Sequence, residues 1–214
     1  MTADARRFGA LWRRTVRSPP SPDADTVYAD LLGRLEGDDR RFHNLKHIAD
    51  CLHRLDEVAP LLDDRDAVEM ALWFHDAVYV PANPANERLS AALFLSVSEG
   101  ARTDFRKRVT RLILTTRRTA IPRSNDQKYI DDIDLAGFGA SWAEFMRQGD
   151  LLREEFAALD DAEYRAGQVH FLARLQQRRQ LFATDWFRDR YEESAQSNLR
   201  QTLAHLAAQS YSRR

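Results

Sequence analysis

Apolar residues recur at spacings of three and four along almost the whole of this 214-residue chain, and runs alternating polar with apolar β-branched residues are absent. That periodicity is the signature of amphipathic helices and excludes sandwiches and barrels. The scarcity of helix breakers agrees, with 8 Gly and 7 Pro in the chain. The spacing predicts an all-α fold with helices over 4–17, 24–37, 42–58, 66–78, 86–99, 102–117 and 126–136. Two or three longer helices are predicted between 141 and 209. Phe8, Leu11, Trp12 and Val16 form the inward side of the first. Loops are expected at Val80–Asn86, where Asn86 suits a helix cap, and at Ile121–Asn125. No 20–50-residue repeat is present, which removes solenoids.

Beyond residue 150, Phe156, Leu159, Tyr164, Val169, Leu172, Leu175, Leu181 and Phe182 are inward candidates. The expectation is one domain over 1–214, with the C-terminal helices 141–209 packed on a core that carries the motifs of 42–135; an antiparallel coiled-coil arm is the alternative. With 32 Lys+Arg against 33 Asp+Glu, no basic excess marks the whole surface for nucleic acid, although a local basic patch stays open. No apolar run approaches the roughly 18 residues of a membrane span, and Arg13 and Arg14 interrupt the only apolar stretch near the start. Together with a single cysteine, Cys51, this leads to the expectation of a soluble, cytoplasmic protein without disulfides.

Three segments carry chemistry. In Phe42-His43-Asn44-Leu45-Lys46-His47 the two histidines are four positions apart, so on one helix they would share a face. Phe42, Leu45, Ile48, Ala49, Leu52 and Leu55 would form the opposite, apolar face. From Ala67 to Tyr79, 10 of 13 residues are apolar, which implies burial, yet His75 and Asp76 sit inside this run. A buried carboxylate needs a compensating partner. A divalent cation would serve, and so would a His-Asp hydrogen bond or an arginine. Third, Asp131, Asp132 and Asp134 crowd into four positions, where like charges raise one another's pKa unless a cation intervenes. Asp134, between Ile133 and Leu135, is expected to point inward; a solvated helix terminus is the alternative.

In this order the segments resemble the HD-domain superfamily of metal-dependent phosphohydrolases, named for its adjacent His-Asp pair. The chain is most similar to a group of bacterial HD-superfamily hydrolases, through Phe42–His47, Trp73-Phe74-His75-Asp76-Ala77-Val78-Tyr79, Asn86-Glu87-Arg88-Leu89-Ser90-Ala91 and Asp132-Ile133-Asp134-Leu135. The first segment also resembles the aromatic-His-Asn-x-x-His signature of cyclic-nucleotide phosphodiesterases. The resemblance implies an HD-like helical bundle in which His47, His75, Asp76 and Asp134 hold one divalent ion (Mn, Fe, Zn, Ni, Co or Mg), with His43 as general acid. On the residues' own chemistry, Glu87 would orient water or support a ligand, or else be a carboxylate that complements a helix N-terminus, and Lys46, Arg117, Arg118 and Arg123 would supply charge for phosphate, or else be solvated surface charges. Departures are Tyr79-Val80-Pro81 in place of Tyr-Asp-Pro, and Thr115-Thr116-Arg117-Arg118 where Thr-x-x-His is expected. Both remove groups that a second metal would need. The implied function is hydrolysis of a small phosphorylated or nucleotide substrate. No nucleic-acid or membrane partner is expected, and a homo-oligomer stays open. The alternative is a helical module that keeps the metal or a ligand without turnover.

Overall fold

The computed structural model describes residues 3–17, 19 and 21–211. Among them are ten α-helices, two short 3₁₀ turns and no β-strand; Val16 and Ala101 form one isolated antiparallel bridge. No helix among the described residues is long and apolar enough to cross a membrane. The chain divides into two compact units between Ile133 and Asp134.

The first unit holds α1 (Ala5–Thr15), α2 (Ala24–Leu35), α3 (Leu45–Val58), α4 (Arg65–Phe74), α5 (Asn86–Val97), α6 (Thr103–Thr115) and most of α7 (Asn125–Leu135). Their starts are set by side chains that accept otherwise orphaned amide protons. Asp4, Asp23, Asn44 and Asp64 cap α1 to α4 in this way. At the centre is α4, packed against α1, α3, α5 and α6, which explains its nearly continuous apolar run. Phe8 of α1 lies 5.4 Å from the ring of Trp73, Tyr28 of α2 lies 6.1 Å from the same indole, and Phe74 lies 5.3 Å from Phe94 of α5. Phe8, Leu11, Trp12 and Val16 are all buried, as their spacing predicts. Beneath this core Arg7 is itself buried and bonded to Glu69 and Asp56.

The second unit contains α8 (Trp142–Glu155), α9 (Asp161–Gln176) and α10 (Asp185–Tyr211), preceded by the 3₁₀ turn Ala136–Gly139. Asp160 and Glu163 form a reciprocal capping box at the start of α9. Leu172, Leu175, Leu181 and Phe182 are buried as expected, whereas Val169 is exposed and Phe156, Leu159 and Tyr164 are only half-buried. The 3₁₀ turn is held to α10 by Asn198, whose Nδ2 donates to the carbonyls of Phe138 and Ala140 at 2.8 and 2.9 Å. Gly139 is required there, since a Cβ would stand 2.5 Å from that of Tyr191.

Two helix limits of the first unit differ by three residues or more from those the periodicity predicts. The helix expected over 42–58 begins at Leu45, and the one expected over 66–78 stops at Phe74. Asn86 is not a cap: it is the first residue of α5, and its side chain makes a reciprocal pair with the Val80 backbone, accepting from N at 3.0 Å and donating to O at 2.9 Å. Ser90, one turn on, makes the same kind of pair with Val78. Together they fix the loop that follows the His-Asp pair.

Candidate metal centre

Asn44 decides how the two early histidines are presented. Its extended backbone and side-chain oxygen, which accepts from the amides of Lys46 and His47 at 2.9 and 3.3 Å, start the helix after it. His43 therefore precedes α3 and does not share a helical face with His47. The rings still approach, with centroids 5.9 Å apart, because His43 folds back and stacks on Tyr79 at 4.1 Å. The buried face of α3 is Ile48, Cys51, Leu52, Leu55 and Val58. His47 lies one turn before Cys51 and thus at the edge of that face, not opposite it; Phe42 and Leu45 are only half-buried.

The backbone just beyond α4 is held by a residue 36 positions before Asp76. Arg40, 9 % exposed, donates to the carbonyls of His43 at 3.0 Å, Asp76 at 2.9 Å and Ala77 at 3.4 Å. Its guanidinium also lies over the Tyr79 ring, 5.3 Å from the centroid. The carbonyls that the chain exposes as it leaves the helix are thus satisfied by one rigid fork. Arg40 joins the His43 segment to the His-Asp segment. Arg40→Ala should therefore cost about 2–4 kcal/mol in urea unfolding and weaken divalent-ion binding by roughly 10-fold or more, with Arg40→Lys recovering only part of either. Equal metal titrations for wild type and Arg40→Ala would refute that coupling.

His75 is 1 % exposed, and its Nδ1 lies 2.9 Å from the carbonyl of Leu72. A carbonyl only accepts, so Nδ1 carries a proton and Nε2 faces inward, where it either holds a second proton or offers its lone pair. Facing it are His47 Nε2 at 3.3 Å and Asp76 Oδ2 at 3.0 Å, and this carboxylate oxygen is 3.6 Å from His47 Nε2. Asp134, on the last turn of α7, is half-buried and falls in the second unit. Three electron-pair donors of the first unit, His47 Nε2, His75 Nε2 and Asp76 Oδ2, converge, and only a positive centre, protons or a metal ion, reconciles them. Burial raises the pKa of Asp76, but the imidazoles of His75, His43 and His47 and the hydrogen bond from His75 outweigh it and hold the carboxyl well below its ordinary range.

The donor set fits a metal. Atoms bonded at about 2.0–2.2 Å to one tetrahedral or octahedral ion stand roughly 2.8–3.6 Å apart across adjacent positions. The observed separations of 3.0, 3.3 and 3.6 Å lie in that interval. Two imidazoles and two carboxylates suit Mn²⁺, Fe²⁺, Co²⁺, Ni²⁺ or Zn²⁺ better than an all-oxygen cage ion.

The acidic trio differs from expectation. Asp131 and Asp132 are the buried members, 1 % and 0 % exposed, while Asp134 is half-buried. Helix neighbours are turned about 100° from one another, so a carboxylate between two buried apolar residues faces away from both. Asp131 pairs with Arg118 Nε at 3.0 Å. Arg118 adopts a left-handed backbone, φ 57°, and also donates to the Thr116 carbonyl.

Among the other residues singled out for substrate, Lys46 is exposed and paired with Asp50 at 2.8 Å, one turn along α3. Arg117 is half-buried and Arg123 exposed. Glu87 is half-buried in the first turn of α5. The structure thus gathers His47, His75 and Asp76, with His43 beside them, and gives Lys46 and Arg118 protein partners instead.

Sequence reasoning missed Arg40, for which no local signal exists. It also missed Cys51, whose Sγ lies 3.7 Å from His47 Nε2 and whose position four residues after His47 was the available clue. No protein-family model, no curated protein and no solved structure matches this chain.

Proposed function

We propose that the protein is a metal-dependent phosphohydrolase of HD type acting on a small phosphorylated or nucleotide substrate. The observation that carries this reading is the convergence of His47 Nε2, His75 Nε2 and Asp76 Oδ2 within 3.0–3.6 Å of one another. The sequence order of these donors and of Asp134 supports it through the resemblance to HD hydrolases.

His47, His75, Asp76 and Asp134 would hold the ion. When bound, a divalent ion there supplies Lewis-acid polarisation of a phosphoryl oxygen and acidifies a water molecule near neutral pH. His75 is held in one tautomer by Leu72, so its Nε2 is ready to bind without reorganisation. His43 is outside the ligand group but adjacent to it. Stacked on Tyr79 and edge-on to Phe42, its ring is restrained where it can hold a proton for a departing oxygen. Arg40 secures both segments. Glu87 is the candidate for orienting water, and Arg117 for contact with phosphate. Lys46 and Arg118 would have to leave their carboxylate partners to serve a substrate.

The test is a screen of phosphomonoesters, phosphodiesters and nucleotides with added Mn²⁺, Co²⁺ or Ni²⁺, run on wild type and His43→Ala. Turnover is expected in the wild type. His43→Ala should keep the ion yet lose roughly 10²–10⁴-fold on a poor leaving group, and less on a nitrophenyl ester that needs little protonation. Binding of the ion without turnover of any class would instead establish a metal-holding module. Loss of the ion in His43→Ala would make His43 a ligand.

A further inference from the structure

We infer that the outward face of α6 and the loop after it form a docking surface for an anionic lipid bilayer, with Ile121 entering the headgroup boundary. The inference is independent of the metal reading. Charge sets this surface apart. Residues 102–128 hold nine Lys or Arg and two Asp in a chain whose net charge is −1, so the rest of the chain is acidic. Four of the nine are engaged: Arg102 with Asp104, Arg108 with Asp64, Arg118 with Asp131, and Arg106 with the carbonyl of Leu95. Arg117, half-buried, is the candidate for substrate phosphate. Lys107, Arg111 and Arg123 are exposed and Lys128 is half-buried, and among the described residues none of these four has a carboxylate partner. Asp126 cancels nothing at the surface, being buried and bonded to the amides of Asp63 and Asp64. Asp63, exposed next to Asn125, marks the edge of the basic surface.

Geometry gathers these cations. Val109, Leu112 and Ile113 are the buried side of α6, and Lys107, Arg111 and Leu114, at i, i+4 and i+7, share the opposite face. Gln127, in the first turn of α7, ties the following loop to that helix. Its Nε2 donates to Thr115 Oγ1 at 3.1 Å, and its Oε1 accepts from the amides of Arg123 and Ser124, each at 3.1 Å. The pinned loop carries an uncharged tip, Thr119-Ala120-Ile121-Pro122, between Arg118 and Arg123. Ile121 is 87 % exposed, the highest value among the large apolar side chains of the described residues, and Leu114 is 38 % exposed.

A phosphate-rich surface attracts such cations whether it belongs to lipid or to nucleic acid. The tip decides between them. An aliphatic side chain gains free energy on leaving water for the acyl boundary, while flanking Arg and Lys reach the headgroups. Single-stranded nucleic acid instead calls for accessible aromatic rings on which bases stack, and the aromatic residues here, Phe105 and Tyr129, are half-buried and buried. Association of this kind needs no spanning helix.

The experiment is co-sedimentation of full-length protein with vesicles of phosphatidylcholine, alone or mixed about equally with phosphatidylglycerol, for wild type, Lys107→Gln combined with Arg111→Gln, and Ile121→Ser. Wild type should bind the mixed vesicles and not the neutral ones, and should be released by high salt. The double variant should bind roughly 10- to 50-fold more weakly, and Ile121→Ser roughly 10-fold more weakly. All three side chains are exposed, so both variants should melt with wild type. No binding to the mixed vesicles, equal binding to the neutral ones, or binding unchanged by Ile121→Ser would overturn the inference. So would salt-sensitive binding of a single-stranded oligonucleotide without vesicle binding, which would assign the same cations to nucleic acid.

Discussion

His75→Ala is expected to abolish stoichiometric binding of a divalent ion. Loss of a supporting group around a metal ligand typically costs 10–100-fold in affinity, so loss of a ligand that is itself buried and held in one tautomer should exceed about 100-fold. The effect should also be visible as stability. At an ion concentration about 100 times the dissociation constant, wild type gains about 2.7 kcal/mol by mass action, which for a chain of this size raises the melting temperature by roughly 5–11 °C. His75→Ala should show no such gain, and chelator should leave its melting curve where it is. Acidification should imitate the substitution. Metal binding needs deprotonated donors, so metal affinity should decline as pH falls. The stability that Asp76 contributes through its depressed pKa is present above the ordinary carboxylate range and is lost only as pH falls through the lower folded-state value. Melting curves of wild type and His75→Ala with and without Zn²⁺ or Mn²⁺ check this; an equal metal-induced shift in both would remove His75 from the ligand set.

The second large effect concerns Arg7 and depends on no metal. Its Nε donates to Glu69 Oε1 at 2.8 Å, and its two terminal nitrogens grip Asp56 at 2.8 and 2.9 Å. Burial opposes the charge on Arg7, but the two carboxylates outweigh it and raise the guanidinium pKa. Glu69 is 2 % exposed on the central helix α4. Removing one partner of a buried pair strands the other charge, at a cost of about 3–5 kcal/mol. Arg14 and Arg65 approach the second Glu69 oxygen only to 3.9 Å each, which places the loss toward the lower end. Arg7→Ala should therefore lower the melting temperature by roughly 6–20 °C. Arg7→Met combined with Glu69→Leu should lose much less, since no charge is then left buried. A melting temperature for Arg7→Ala within a degree of wild type would show the network to be dispensable.

These residues also mark what the sequence discloses. Helix content was legible because a 3.6-residue period needs only local information, and even the central position of α4 followed from its unbroken apolar run. Helix ends were less legible where they depend on a distant partner. The stop at Phe74 goes with Arg40, far back in the chain, holding the carbonyls that follow. The start at Leu45 was in fact local, in the Asn44 cap, but the histidine spacing invited a longer helix. The division of the chain falls inside α7, without the proline or glycine punctuation that usually marks a boundary. Of the candidate site, the approach of His47 to the His75-Asp76 pair was readable from motif order, whereas Asp134 proved less buried than Asp131 and Asp132. Partners for Lys46 and Arg118 were not, because a surface pair and a buried pair look alike when only charges are counted.

The central claim is that His47, His75, Asp76 and Asp134 hold a divalent ion. It is tested most directly by stripping the full-length protein of metal and titrating it with Mn²⁺, Fe²⁺, Co²⁺, Ni²⁺ and Zn²⁺ under calorimetry, with elemental analysis of the dialysed product. One tightly held ion per chain, displaced by protons on acidification and absent from His75→Ala, is the predicted result. A chain that takes up none of these ions stoichiometrically near neutral pH would contradict it, and the four donors would then be a proton-sharing His-Asp cluster.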